Sequence, residues 1–458
     1  MWPQQRVSAL FKSVPKLLKR GDFAAVSKLA EGFRPADLAN TFRHIERSYY
    51  KAFFDAIGPL AIQAEVLGEL DLDIARAFLP EVKDDELLKL LREMSSDDAA
   101  DTLELVSEER AQELLKALHQ AGEDEVVELF DHDPESAAGL MTRNFCAIHE
   151  AVTTSEAIRI LQSRGEDVEF SYYVYVVNDA EHLVGVVSLR QLVLSRSDKP
   201  LNEIMATDLV SVTSDTDQED VARMVARYNF MAIPVVDHTY RLVGVVTVDD
   251  IIDVIRLEAT EDILKMAGAG DELEQSSVWR AAKARLPWLM ASFGGGIAAA
   301  GLIGVYEESI AKVGALAAFI PIVLGMGGNV GIQSATIVTR GLALGRIDTK
   351  QLGQVFGKEL LISTISGSLY GLLLGVVAWA RYQGSEDVVR GGLMLGATVG
   401  LSVAAAMVTA ASIGATVPML FARVNIDPAL ASGPFVTTAV DVIGILSYFT
   451  IASALLGL

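Results

Sequence analysis

The stretch TTAVDVIGILSYF, Thr437 to Phe449, puts one carboxylate, Asp441, inside an apolar run that extends from Pro434 to Leu458 with no other charge. A run of that length crosses a bilayer as an α-helix, since about 20 residues span a ~30 Å hydrocarbon core. An acid near the middle of such a helix costs roughly 2.5–3.5 kcal/mol on insertion scales. The chain must therefore satisfy it or use it.

Working outward from this run, which occupies 432–457, four more apolar segments precede it, at about 286–306, 313–338, 354–380 and 391–421. The basic residues set their direction. Arg280, Lys283 and Arg285 precede the first segment, Arg340, Arg346 and Lys350 follow the second, and Arg423 follows the fourth. The opposite side carries only Lys312, Arg381 and Arg390. Basic residues stay inside, so the N-terminal part is expected in the cytoplasm and the C-terminus outside. Met1 to Leu10 has no apolar signal core, and secretion is not expected.

Charge divides the chain at the same place. Of 38 basic and 60 acidic residues, eight of each follow Arg285, which leaves the whole net charge of −22 on the first 285 residues. Such a surface repels nucleic acid and attracts cations, although solubility alone would also account for it. The single Cys146 and six scattered histidines offer no soft-metal site, so any metal is a hard cation held by oxygen.

The intramembrane acid narrows the chemistry further. No Lys, Arg or His lies deep in any segment, and Glu359 is the only other acid near a segment interior, with Lys358 before it at the edge. A snorkelling or hydrogen-bonded Asp441 is one reading. The other is that an unpaired carboxylate protonates or meets a cation from solution. Two copies facing each other across a two-fold axis would favour a divalent ion. The second segment adds FIPIVLGMGGNVGIQSATIVTRGLALG, Phe319 to Gly345, where Pro321 and several glycines are expected to weaken or break the helix. Asn329 and Gln333, four residues apart, share a face and are candidate pore-lining amides. Close helix packing would explain the glycines equally well.

Up to about residue 135 the chain reads as short helices, for example RPADLANTFRHI and SSDDAADTLELV, which form a superhelix or an irregular bundle. From Met141 a duplication begins. YVVNDAEHLVGVVSLRQL, 175–192, repeats as PVVDHTYRLVGVVTVDDI, 234–251, at an offset of 59. The helical approaches from Met141 and Met205 repeat at an offset of 64. Each unit reads as helix, two strands joined by a polar turn, then helix.

This duplication resembles a tandem pair of CBS domains. The resemblance implies adenine-nucleotide binding, ATP included, with Tyr173, Arg190 and Thr247 as candidate contacts and Asp250 following Thr247 at the strand end. Gln191 stands where an Asp is usual. Thr247 as a helix cap is the alternative.

Over nearly its full length the chain resembles the MgtE family of magnesium channels. Three motifs carry this: PIVLGMGGNVGIQSAT in segment two, VDDIIDVIRLEATEDILKMAG after the second repeat, and DPALASGPFVTTAVDVIGILSYF in segment five. The resemblance implies an acidic helical N-domain over 1–135, CBS domains over 136–200 and 201–257, a connecting helix over 258–284 broken near Gly268–Gly270, and a five-helix pore domain over 285–458. The fold class expected is multidomain: superhelical α, α+β CBS pair and polytopic α-helical membrane domain. It also implies a homodimer in a bacterial cytoplasmic membrane, with Mg2+ as substrate and regulator. Asp441, with the backbone carbonyl near Thr437, would bind hydrated Mg2+ in the pore, and Mg2+ gives up its waters reluctantly. Closure would follow Mg2+ bridging of Glu65, Asp97 and Asp101 in the N-domain, Glu219, Asp250 and Asp253 in the second CBS copy, and Glu258, Glu261 and Asp262 in the connecting helix. Asn229 and Gly433 depart from the family pattern, which often has Asp and Asn there.

Two other classes stay open at this stage. A CBS-regulated divalent-cation carrier or exporter would ordinarily show inverted repeats with broken helices in both halves. A membrane-anchored nucleotide sensor or enzyme would need a phosphate loop ending in Gly-Lys-Ser/Thr or a nucleophile–His pair, and the sequence has neither. The expectation is a transporter and not an enzyme.

Overall fold

The computed structural model describes residues 3–164, 172–269, 278–384, 391–431 and 433–457. Gly270, Glu386, Asp387 and Arg390, which entered the sequence reading, lie outside the described residues. The chain forms two compact units, Met1–Leu257 and Glu258–Leu458.

The first unit opens with ten α-helices: α1 Pro3–Arg20, α2 Phe23–Ala30, α3 Pro35–Thr41, α4 Tyr50–Ala56, α5 Leu60–Gly68, α6 Leu72–Phe78, α7 Asp84–Leu91, α8 Ser96–Glu104, α9 Glu108–Ala121 and α10 Asp124–Phe130. Their amphipathic spacing turns Phe42, Phe53, Phe54, Phe78 and Leu79 into one core with no solvent exposure. Acidic residues fill many first turns, as with Asp84, Asp85 and Glu86 on α7, where they complement the helix dipole.

Each repeat then builds a three-stranded sheet. In the first copy β1 Ala147–His149 runs parallel to β2 Tyr173–Val177, which pairs antiparallel with β3 Leu183–Ser188. Helices α11 Thr154–Arg164 and α12 Leu189–Leu194 complete it. The second copy repeats the plan with β4 Val212–Thr213, α13 Gln218–Tyr228, β5 Ala232–Val236 and β6 Leu242–Thr247. The leading strands of two and three residues are absent from the sequence reading, being too short to show an alternating pattern. The copies are cross-docked. Met141 before copy one packs on Gly244 in copy two, and Met205 before copy two packs on Gly185 in copy one. A Cβ at either glycine would stand 2.4 or 2.2 Å from the methionine sulfur, so glycine is required there.

From β6 the chain enters α14, Val248–Met266, which runs unbroken past Leu257. No helix boundary separates the second copy from the connector. Gly268, with φ of +71°, follows the helix end, close to the expected break.

The second unit contains five helices long and apolar enough to span a membrane. They are α15 Val278–Val305, α17 Ala315–Ala343, α18 Leu352–Tyr382, α19 Gly392–Arg423 and α20 Pro434–Leu456, with the short α16 Glu307–Lys312 after the first. Large apolar side chains stay exposed along them, such as Leu361, Leu372 and Leu393, as a lipid-facing surface requires. The expected break in the second span is absent: α17 is continuous through Pro321 and all its glycines. Those glycines serve packing instead. Gly327 and Gly331 lie against Val440 and Val436 of α20, and the backbone of Gly331 meets Gly414 of α19.

Candidate functional site

In the membrane unit the seam just described fixes α20. Val436 and Val440 face α17, and Thr438 seats against Gly295 of α15. At 100° per residue, Thr437 and Asp441 occupy the stripe between those two contacts. Both are half-buried, so this stripe opens beside the packed helices. The Thr437 hydroxyl is spent on the backbone, donating to the carbonyls of Pro434 at 3.2 Å and Gly433 at 3.3 Å. Among the described residues no basic side chain neutralises Asp441.

The other intramembrane acid is handled differently. Glu359 is 6% exposed and accepts a 2.7 Å hydrogen bond from Ser334 Oγ inside the bundle. It is satisfied where it stands, whereas among the described residues Asp441 has no such partner.

Asn329 and Gln333 are not brought to Asp441 within one chain. Both are exposed, and both lie about 160–240° around α17 from the Gly327–Gly331 seam that meets α20.

A second group of acids forms in the first unit. Ala100 of α8 and Leu129 of α10 pack into the core of the second repeat with Ile251 and Val254 of α14. That docking brings Asp97 and Asp98 within electrostatic reach of Asp250, with Asp101 one turn farther along α8. Burial pushes the Asp250 carboxyl up to about 8, with the Asp97, Asp249 and Asp98 charges adding to the shift and a hydrogen bond from Thr247 opposing it. Asp101 is pushed up to about 7, by desolvation first and then by Glu104, Asp97 and Asp98. Asp98 rises to about 6 for the same kind of reason. Asp98 and Asp101 remain exposed to solvent although neighbouring protein atoms crowd their carboxyls. Asp97 is also raised, and its Oδ1 is buried without a hydrogen-bond partner among the described residues. Glu69 joins the group: burial raises its pKa, and the charges of Asp253, Asp249 and Glu65 raise it further.

Glu69, Asp98 and Glu104 are absent from the sequence expectation. Asp98 stands inside the quoted SSDDAAD motif, which was the available signal; only packing reveals the other two. Several expected ligands instead face basic side chains. Glu219 lies 2.9 Å from Arg223, Asp253 lies 3.0 Å from Arg256, and Glu261 lies 2.6 Å from Lys265. Glu65 is exposed on α5, and Glu258 is half-buried on α14. Among the described residues no three His, Cys, Asp or Glu side chains converge as a preformed metal cage. The acidic group is crowded, and among the described residues the charges that raise its members are those of other carboxylates.

These shifts set a pH dependence. A carboxyl with a raised folded-state pKa favours the docked arrangement below its ordinary value, near ~4, and that contribution is lost as pH climbs through about 6 to 8. A divalent cation binding here must displace protons near neutrality. Calorimetry in buffers of different ionisation enthalpy should show proton release near neutral pH that vanishes under alkaline conditions. Buffer-independent heats near neutrality would contradict the assignment.

A cleft between the repeats is lined by Thr142, Asn144, Phe145, Tyr172, Tyr173, Tyr175, Ala232 and Val245. The Tyr175 hydroxyl is buried and has no hydrogen-bond partner among the described residues. Of the expected nucleotide contacts only Tyr173 lines this cleft. Arg190 is exposed elsewhere on α12, and Thr247 is buried with its hydroxyl donating to Asp250. The walls of this narrow cleft are aromatic, the kind of surface on which a planar ring can stack. Sequence reasoning missed Tyr175, whose alternation marks it as an ordinary core strand residue.

Family models place this arrangement. One described as a divalent cation transporter matches residues 320–451, an MgtE intracellular N domain matches 33–135, and CBS domains match 137–198 and 201–257. The chain is 37% identical to a magnesium transporter MgtE of Thermus thermophilus over 97% of this chain and 98% of that one. A magnesium transporter MgtE of Bacillus subtilis is 33% identical over 96% of this chain and 95% of its own length. A crystal structure of the cytosolic domain of the Mg2+ channel MgtE in complex with ATP aligns with a TM-score of 0.50 at 36% identity, covering 53% of this chain and 99% of that one. With such identity over almost the whole of both chains, this multi-pass membrane protein belongs to the MgtE family of magnesium transporters.

Proposed function

We propose that the chain carries Mg2+ across the bacterial cytoplasmic membrane as a channel, and that Mg2+ on the cytosolic side closes it. The observation that carries the transport reading is Asp441: an acid without a basic neighbour among the described residues, on a half-open stripe of α20, between the contacts to α15 and α17. A partly hydrated divalent ion compensates such a carboxylate without a dedicated cage. A homodimer supports this use, because it would face two Asp441 stripes, and the exposed amides Asn329 and Gln333, toward a shared path. The basic-residue pattern supports a cytoplasmic N-terminus and an external C-terminus.

In this reading residues 1–135 form the sensing N-domain, 136–200 and 201–257 the CBS pair, 258–284 the connector and 285–458 the pore domain. Asp97 Oδ1, buried and without a hydrogen-bond partner among the described residues, supports the sensor role with Asp98, Asp101 and Asp250 around it. Mg2+ binding the docked arrangement of α8 and α14 more tightly shifts the population toward it. Of the remaining expected ligands, Glu65 and Asp253 act on Glu69 through their charges, while Glu219 lies on α13 and Glu258 on α14.

ATP is the proposed ligand of the aromatic cleft. Tyr173→Ala is expected to weaken ATP binding to the full chain by about tenfold, on the scale of one lost base–aromatic stack. Equilibrium dialysis measures it, and unchanged affinity would move the nucleotide elsewhere. The function itself is tested by growth: expression should restore a Mg2+-uptake-deficient bacterium in low Mg2+. Failure to do so with protein present in the membrane would refute the uptake reading. Single-channel current separates channel from carrier.

A further inference from the structure

Two of the expected gating ligands on the connecting helix, Glu261 and Asp262, already face cations of the second unit. The ammonium of Lys265 lies 2.6 Å from Glu261, one turn back on α14, and 2.9 Å from Asp427 Oδ2 in the loop between α19 and α20. Arg340, near the end of α17, comes within 4.0 Å of Asp262. Asp427 is held in position, since its other oxygen accepts from the Ala429 backbone N–H at 2.8 Å. Burial alone would lower the Lys265 pKa, but hydrogen bonds to Glu261 and Asp427 and their charges outweigh it and hold the ammonium firmly protonated.

The backbone makes the same contact. A Cβ at Gly433, at the entry to α20, would stand 3.2 Å from the Met266 carbonyl that ends α14. Glycine there lets the two chain segments approach. On the other side Gly268 rests against Trp288 of α15, where a Cβ would lie 3.3 Å from the indole side chain.

We infer that Lys265 is a resident latch. Its ammonium stands between Glu261 and Asp427, where a bridging cation would otherwise be needed, and holds the end of the connecting helix on the loop that leads into α20 and Asp441. This rests on the gating proposed above and assigns part of it to the chain itself. Asp262 and Arg340 form a looser second tie. Without the ammonium, Glu261 and Asp427 would repel, the end of α14 would leave the loop, and more Mg2+ would be needed to restore the contact.

The test uses the full-length chain in proteoliposomes and compares Lys265→Gln, Lys265→Arg, the single reversals Lys265→Glu and Asp427→Lys, and the swap that combines those two. Flux is measured against Mg2+ on the cytosolic face, and amide hydrogen exchange of residues 258–266 is measured without Mg2+. Lys265→Gln should raise the half-inhibitory Mg2+ roughly fivefold and speed exchange over 258–266. Lys265→Arg should follow the parent. The swap should recover toward the parent from the shift of either single reversal, which a misfolded variant would not do. Inhibition and exchange that superimpose for Lys265→Gln and the parent would overturn the latch. If the parent is not inhibited by Mg2+ at all, the gating reading fails, and the exchange comparison alone still decides whether the latch exists.

Discussion

Asp441→Asn is expected to fold, insert and assemble like the parent while losing Mg2+ flux at least roughly tenfold, the effect of ~1.4 kcal/mol on a barrier. Asn keeps the size and hydrogen-bonding capacity of Asp and removes only the charge. The neighbours of this position are apolar or backbone-satisfied: Val440 is on the glycine seam and the Thr437 hydroxyl is spent on carbonyls. Losing the charge should not disturb packing. A doubly charged ion leaving water does need it. Asp441→Glu should keep partial flux, since the charge survives and moves by about one methylene. Glu359 gives a built-in contrast. It is already hydrogen-bonded to Ser334 in the bundle, so Glu359→Gln should fall far less in flux than Asp441→Asn. Parent-like conduction by Asp441→Asn would make the acid a packing feature.

Removal of residues 1–135 is expected to leave flux high at internal Mg2+ that shuts the parent. The deletion takes away α8, and with it Asp97, Asp98 and Asp101, one whole side of the acidic group that faces Asp250. The first-unit part of α14 keeps its own core contacts through Ile251 and Val254, so the CBS pair should remain folded. Limited proteolysis gives an independent check on the parent. Millimolar Mg2+ should protect the chain following α14, and sodium at equal ionic strength should not, because screening alone does not bridge carboxylates. Unchanged Mg2+ inhibition in the deletion variant would end the sensor reading.

The parts legible in the sequence were those written in local pattern. Five apolar runs became five membrane-length helices, and the repeated Gly-Val-Val-Ser/Thr endings became matching antiparallel pairs β2–β3 and β5–β6. The leading strands β1 and β4 escaped because they are short and pair with residues more than 20 positions away. The glycines of α17 are ambiguous in the sequence for a different reason. Composition reports a weak helix, yet only the neighbouring Val436, Val440 and Gly414 show that each missing side chain makes room for another helix. The acidic group was half-legible: Asp97, Asp101 and Asp250 stood in recognisable motifs, but Glu69 and Glu104 entered only through packing. Ion pairing was not legible either. Whether Glu261 waits for a metal or already holds Lys265 depends on a side-chain geometry that sequence does not display.

One measurement tests the central claim most directly: Mg2+ entry into proteoliposomes containing only this chain, followed with a Mg2+-sensitive dye, first with the cytosolic face free of Mg2+ and then with that face at millimolar Mg2+. The account predicts rapid entry in the first condition and strong suppression in the second. No entry above protein-free vesicles in the first condition would contradict it.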